Sequence, residues 1–344
     1  MDHRRSCSWL LAGLLLGAVP LWALEVLELD DHSVVLYGHE LQATDGVELL
    51  RVSNLGDSLW LYLDGLKAWV VDGDLQPETT YAWSWRAGER TGHLDGMRKH
   101  TVVRPLGLLF LNGFNGGHAL VYTLAETGCG EYMDYCALTG WPVPPEQNFP
   151  RMRNYLQFFR SYPLVNVDDA DARAYCNWLS GQDGLPPAYN ADGLDMESVG
   201  WRLPTVREMY WLADLQRDPP HWASEDVPQT PIPHRESSSA DGPQNVTGNV
   251  WEWCENGFGH APASGSPGRS AYFDPAGRDS RLVFGGSYNN TEAELSSLVT
   301  AQDPGARLST LGFRTVRWLL PESARRTDEI LAQNPSHEIG KDTR

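Results

Sequence analysis

Apolar and polar positions alternate with a period of two through the first third of the chain, and then the pattern changes. "TTYAWSWRAG" sets Tyr81, Trp83 and Trp85 on one face and Ala82 and Ser84 on the other, as in a half-buried strand. "VELLRV", "SLWLYLDG" and "KAWVVDG" are further β-branched and aromatic runs, separated by Gly, Asp and Asn. Between about Glu25 and His100 this spacing predicts five to seven short strands, enough for a small sandwich.

From about Thr101 to Leu320 helical periods and long loops replace the alternation. "DADARAYCNWLS" predicts a helix with Asp168 or Asp169 as N-cap and Ala172, Tyr175, Cys176 and Leu179 along one stripe. "TVREMYWLADL" predicts a second, capped by Thr205 with Glu208 at the capping-box position. "DGLPPAYNADGLDMES" and "DLQRDPPHWASEDVPQTPIPHRESSSADGPQ" are too polar and too broken by Pro and Gly for a core. Loops that long in a compact domain are functional, or tied down by ions and neighbours. The charged segment after Pro321 reads as a peripheral tail.

The N-terminus changes the setting. "MDHRR" and the apolar run "WLLAGLLLGAVPLW" lead to a small residue at Ala23, the order of a secretory signal. The run is short for a membrane span, although an uncleaved anchor remains the alternative. Export to the periplasm with cleavage predicts no membrane insertion thereafter. The formal charge of −18 argues against nucleic acid and against anionic membrane surfaces, both of which call for surplus Lys and Arg. Beyond the signal stand Cys129, Cys136, Cys176 and Cys254. In an exported chain these predict one or two structural disulfides, with three pairings open for two bridges.

"LQPETTYAW" resembles the L-x-P-x-T-x-Y segment of fibronectin type III domains, which implies a tyrosine corner at Tyr81. Four separated segments resemble the formylglycine-generating enzyme (sulfatase-modifying factor) family: "PLVNVDDADARAYCNWL", "GWRLPTVREMYWLA", "GNVWEWCENGF", and "FGGSY" with "LGFRTV". "ETGCGEYMDYCALTG" resembles a degenerate form of the family's opening motif. The resemblance implies an α+β, C-type-lectin-like fold with little regular secondary structure, preceded by the small all-β sandwich. The expected organisation is a signal at 1–23, a fibronectin-III-like domain at 24–100, the family domain at 101–320 and a tail at 321–344.

In competent members of that family two cysteines after G-G-S-Y bind copper(I). Here the matching positions are Asn290 and Leu295, so the resemblance implies no copper, because copper(I) selects soft thiolates. The ten histidines contain no H-x-H or H-E-x-x-H pair for an iron or zinc site, and no G-x-S-x-G elbow is present. The family's G-N-x-W-E-W loop implies calcium at Asn249 and Glu252, with carbonyls of Thr247, Gly248 or Val250 nearby. Hydrogen bonding of the loop by the same side chains is the alternative. Arg202 and Arg314 read as buried forks bracing loops, Trp251 and Trp253 as core residues, and Gly285 and Gly286 as positions of unusual backbone.

Three functions follow. The first is a non-catalytic exported regulator whose protein partner is the periplasmic part of a membrane-anchored Ser/Thr kinase controlling type VI secretion, with a binding groove at Tyr288, Asn289 and Asn290. The second is a periplasmic tailoring enzyme like the family's siderophore-maturation member. The third is a calcium-dependent carbohydrate-binding or adhesive module. A carboxylate-lined pocket beside Tyr288 and Asn290 favours the enzyme; a filled or shallow surface there favours the regulator.

Overall fold

The structure is a computed structural model describing residues 25–37, 46–63, 69–99, 104–111, 118–195, 197–223, 229–257, 280–295 and 297–319. The expected signal at 1–23 and the tail at 321–344 lie outside the described residues. No helix among the described residues is long and apolar enough to cross a membrane.

Seven strands come first: β1 (Glu25–Asp30), β2 (Ser33–Tyr37), β3 (Val47–Ser53), β4 (Ser58–Leu63), β5 (Trp69–Asp72), β6 (Thr80–Ala87) and β7 (Arg90–Arg98). They form two antiparallel sheets, ordered β1-β2-β5 and β4-β3-β6-β7. Tyr81, Trp83 and Trp85 point inward with Val34, Leu36, Val47 and Leu49, as the alternation requires. A buried indole N–H needs an acceptor. Trp83 finds one in Asp72 Oδ2 at 2.8 Å, and Arg51 pairs with the other oxygen at 2.7 Å, tying one sheet to the other. The Tyr81 hydroxyl accepts the Gln76 N–H at 2.8 Å, so the corner implied by "LQPETTYAW" is formed.

The second part holds β8 (Leu106–Leu111), β9 (His118–Thr123), α1 (Cys129–Thr139), α2 (Tyr155–Phe158) and α3 (Asp169–Gln182). After these come β10 (Tyr189–Asn190), β11 (Gly193–Leu194), α4 (Val206–Leu215), β12 (Trp251–Gly257) and β13 (Arg281–Phe284). The described residues close with β14 (Val299–Gln302), β15 (Leu311–Gly312) and β16 (Val316–Trp318). Sheets β16-β9-β8 and β14-β13-β12-β15 are connected through the four helices and the long loops between them, which gives the expected α+β class with little regular structure.

Helix α3 settles its N-cap on Asp168, whose side chain accepts the Asp171 N–H at 2.9 Å. Its predicted stripe is buried throughout. Helix α4 begins at the Thr205–Glu208 capping box. Glu208 also takes a fork from Arg202 at 2.8 and 2.6 Å, so one carboxylate closes the helix and braces the preceding strand-like segment.

The sandwich and the second part share apolar contacts. Leu29, Val35 and Tyr37 belong to the same buried cluster as Leu106, Ala119, Val121 and Leu319. Asp30 Oδ2 accepts from the backbone N–H of Ser239 at 3.1 Å and from its hydroxyl at 2.6 Å.

The disulfide expectation is corrected. Cys129, Cys136, Cys176 and Cys254 are all free and buried. Cys129 Sγ lies 3.5 Å from the Pro163 carbonyl, and Cys136 Sγ lies 3.7 Å from that of Pro142. Burial pushes the Cys129 thiol up to about 12 and the Cys136 thiol to about 11. They serve as small apolar core residues.

Candidate functional site

The segment Thr247–Glu252 turns through two positive φ angles, 87° at Gly248 and 61° at Asn249. A Cβ on Gly248 would sit 2.5 Å from the His221 backbone nitrogen, so glycine is required where these two segments touch. The long loop between α4 and β12 lies over this turn. The Asn249 N–H donates to the His221 carbonyl at 3.0 Å, and the Ile232 N–H donates to Asn249 Oδ1 at 2.9 Å. Thr247 donates through its N–H and its hydroxyl to Gln216 Oε1, at 2.8 and 3.2 Å. The length of this loop is thus explained by neighbours that hold it.

Beneath the turn lies a fully buried charge cluster. Arg314 forks onto Glu252, with Nε to Oε2 and Nη2 to Oε1 both at 2.6 Å, and Nη2 also reaches the Gln244 carbonyl at 2.8 Å. Glu126 faces the same guanidinium and accepts the Asn249 amide N–H at 2.9 Å. His234 Nε2 stands 3.4 Å from Glu126 Oε2. Two buried acids therefore share one arginine. Burial, with the charge of Glu126 added, pushes Glu252 up to about 7 against the pull of Arg314. Glu126 is also penalised by burial, but His234 and Arg314 outweigh that and hold it below the usual carboxylate range.

The two side chains expected to ligate calcium are engaged by other groups in the structure. Both Glu252 oxygens are engaged by a cation already, and the Asn249 amide oxygen accepts a backbone N–H. Val250 is wholly buried, and Gly248 is covered by His221. A calcium ion needs several convergent oxygens with no cation beside them. The hydrogen-bonding alternative is what these side chains do. Among the described residues no group of three or more His, Cys, Asp or Glu is arranged to hold a metal.

The "GGSY" turn follows β13. Gly285 and Gly286 have φ of 106° and 79°. A Cβ on Gly286 would meet the Trp222 ring at 2.6 Å and Leu295 Cδ1 at 2.7 Å, so this stretch is packed. Asn290 Oδ1 accepts from the Ser287 N–H at 3.0 Å, the Ser287 hydroxyl at 2.9 Å and the Trp251 indole at 3.1 Å. Its backbone carbonyl accepts the Ala223 N–H at 2.9 Å. Asn290 thus closes the turn, and Leu295 fills the space beside Gly286.

The expected groove needs correction. Tyr288 is 2% exposed, with its ring edge-on to Phe149 and its hydroxyl on the Ser309 carbonyl at 3.2 Å, so it lines no surface. Asn289 alone of the three is exposed. Trp253 is in the core as expected, but Trp251 is only half-buried and spends its N–H on Asn290. A cleft of about 320 Å³ lies elsewhere, between Leu108 and Tyr122 on one side and Gln216, Arg217, Ser239 and Gly242 on the other.

Sequence reading found Arg202, Arg314 and the turn glycines but missed Glu126 and His234 as members of the cluster. Glu126 is 123 residues from Asn249, and nothing in its neighbours announces the pairing. The available signal was a lone acid inside "TLAETGCG", next to residues that become core.

Comparison with known proteins agrees with the middle and end of this domain. Residues 210–319 match the sulfatase-modifying factor enzyme 1-like domain, spanning the end of α4, the Thr247–Glu252 turn, "GGSY" and the Arg314 strand region. No curated protein sequence matches the chain. Similar solved structures include that of CarF, at 20% identity, 62% of this chain, 96% of that chain and a TM-score of 0.44. Variable protein 1 of Treponema denticola gives 21% identity, 69% and 98% coverage and a TM-score of 0.43. PvdO of Pseudomonas aeruginosa gives 18% identity, 62% and 92% coverage and a TM-score of 0.42. Residues 210–319 thus match a sulfatase-modifying factor enzyme 1-like domain, within a chain of α+β class. Likeness at this level does not extend to activity.

Proposed function

We propose that the protein is a non-catalytic, exported binding protein that uses this scaffold to engage the periplasmic part of a membrane-anchored Ser/Thr kinase. In this it resembles TagR, a regulator that activates type VI secretion. The observation that carries the reading is the packing of the "GGSY" turn. Asn290 and Leu295 stand where the family resemblance puts a copper-binding thiol pair, and both are used up as structural residues. The thiols that remain are buried, with Cys254 and Cys176 pushed well up by burial, so none is a ready thiolate. Export rests on the N-terminal pattern of basic, apolar and small residues.

The test is capture from bacterial membranes with purified residues 24–344, read by mass spectrometry. The expected result is enrichment of one membrane protein with an exported kinase-linked domain, reproduced with that domain alone. Retention of a small molecule with no enriched protein overturns the reading and returns the search to a tailoring enzyme like PvdO. Binding of a sugar in a calcium-dependent way overturns it in favour of an adhesive module.

A further inference from the structure

Strand β4 is the edge of the four-stranded sheet, and it lacks the devices by which edges avoid further pairing. The opposite edge, β7, carries Arg90 and Arg98, two glycines and a register break against β6. In the other sheet, β1 carries Glu25, Glu28 and Asp30 and its own register break, and β5 is only four residues long. By contrast β4, "SLWLYL", has no charge, no Gly and no Pro, and pairs with β3 without interruption from Val52–Ser58 to Val47–Leu63.

Its outward side chains are apolar as well. Leu61 and Leu63 pack into the sandwich, while Trp60 is 52% and Tyr62 73% exposed. Their rings stack at 6.5 Å and 24° and stand opposite Leu50 and Glu48 on β3. Two large aromatic side chains held side by side on an edge that no other described strand pairs favour recognition of an extended segment by strand addition. Main-chain bonds then supply affinity, and alternate side chains supply selectivity.

Charge decides between occupants. Asp57 precedes the strand and Asp64 follows it in the sequence, in a chain of net charge −18. A second copy, paired in either direction, sets acid against acid at both ends, and like charges directly opposite destabilise a sheet. We propose that β4 docks an extended strand of a partner protein, apolar at its centre and carrying Lys or Arg at both ends. This surface belongs to the sandwich and does not depend on what the second part of the chain engages.

The test uses residues 24–344 and a synthetic ten-residue peptide of alternating Val and Tyr with two Lys at each end. Amide hydrogen exchange of residues 58–63 and peptide affinity are both measured. The Lys-ended peptide is expected to slow exchange in β4 at least about ten-fold, and a Glu-ended version to bind at least about ten-fold more weakly. The double variant Trp60→Ser, Tyr62→Ser, whose changes are outward-facing, is expected to lose about ten-fold in affinity while its circular dichroism is unchanged. Absent protection, equal binding of both peptides, or unchanged affinity of the double variant overturns the proposal. So does a dimer in sedimentation whose β4 amides are already protected, because the second copy is then the occupant.

Discussion

Replacing Arg314 by Leu isolates what the buried cluster contributes. The change removes two 2.6 Å bonds to Glu252 and one of 2.8 Å to the Gln244 carbonyl, in a place with no access to water. Breaking a buried pair by deleting one partner typically costs about 3–5 kcal/mol, because the remaining charge is left without compensation. Protonation of Glu252 limits that cost, and it does so in a pH-dependent way. With Arg314 present, Glu252 gives up its proton at about 7; without it, the carboxyl keeps the proton to higher pH. Below pH 7 both forms are protonated when folded, and the difference is flat. Above pH 7 only the parent gains from ionisation, so the loss grows by about 1.4 kcal/mol per pH unit. Hydrogen exchange by mass spectrometry on peptides covering 248–257 reads the opening free energy of this region alone. A loss below about 1 kcal/mol, the worth of an exposed pair, or one that shrinks above pH 7, refutes the reasoning.

Glu252→Gln mimics the protonated acid. Because the folded carboxyl is raised above its ordinary 4.5, the parent's stability contribution from this group falls as pH rises from 4.5 to about 7. Thermal melts of the variant at pH 5 and pH 7.5 are expected to differ less than those of the parent; an unchanged slope contradicts the assignment. Calcium at 1 mM is expected to move the melting temperature by less than about 1 °C. A site with a dissociation constant of about 10 μM would add roughly 2.7 kcal/mol at that concentration and shift melting by several degrees. Tyr81→Phe removes the acceptor of the Gln76 N–H. It is expected to cost about 1–3 kcal/mol in the sandwich, read by exchange at residues 75–85, and no loss there means the corner is ornamental.

These expectations rest unevenly on sequence. The strands of the sandwich and helices α3 and α4 were legible because their signals are local: a period of two, an N-cap, a carboxylate three residues on. The tyrosine corner was legible for the same reason, since Gln76 and Tyr81 are five residues apart. The cysteines misled, because cysteine count and an export signal say nothing about which thiols meet. The calcium expectation rested chiefly on one acid, Glu252, whose oxygens Arg314 engages in the structure. Glu252 can serve an ion or an arginine equally well, and the choice was made by Arg314, 62 residues away.

That choice also belongs to a wider set of contacts that hold the turn in place. The Thr247–Glu252 turn is pinned from below by Glu252 on Arg314 and from above by the α4–β12 loop through His221 and Ile232. Gln216, just past α4, holds Thr247 at the side, and Trp251 reaches over to Asn290 in the next turn. Apart from the Glu252–Arg314 ion pair, each contact is a hydrogen bond between segments well separated in sequence, and a bond of this kind contributes only about 1 kcal/mol. Together they over-determine the turn, because every polar atom left without its partner would be buried and unpaired. Where the family resemblance places a reactive thiol, this chain has an amide oxygen that accepts three donors and so closes the turn.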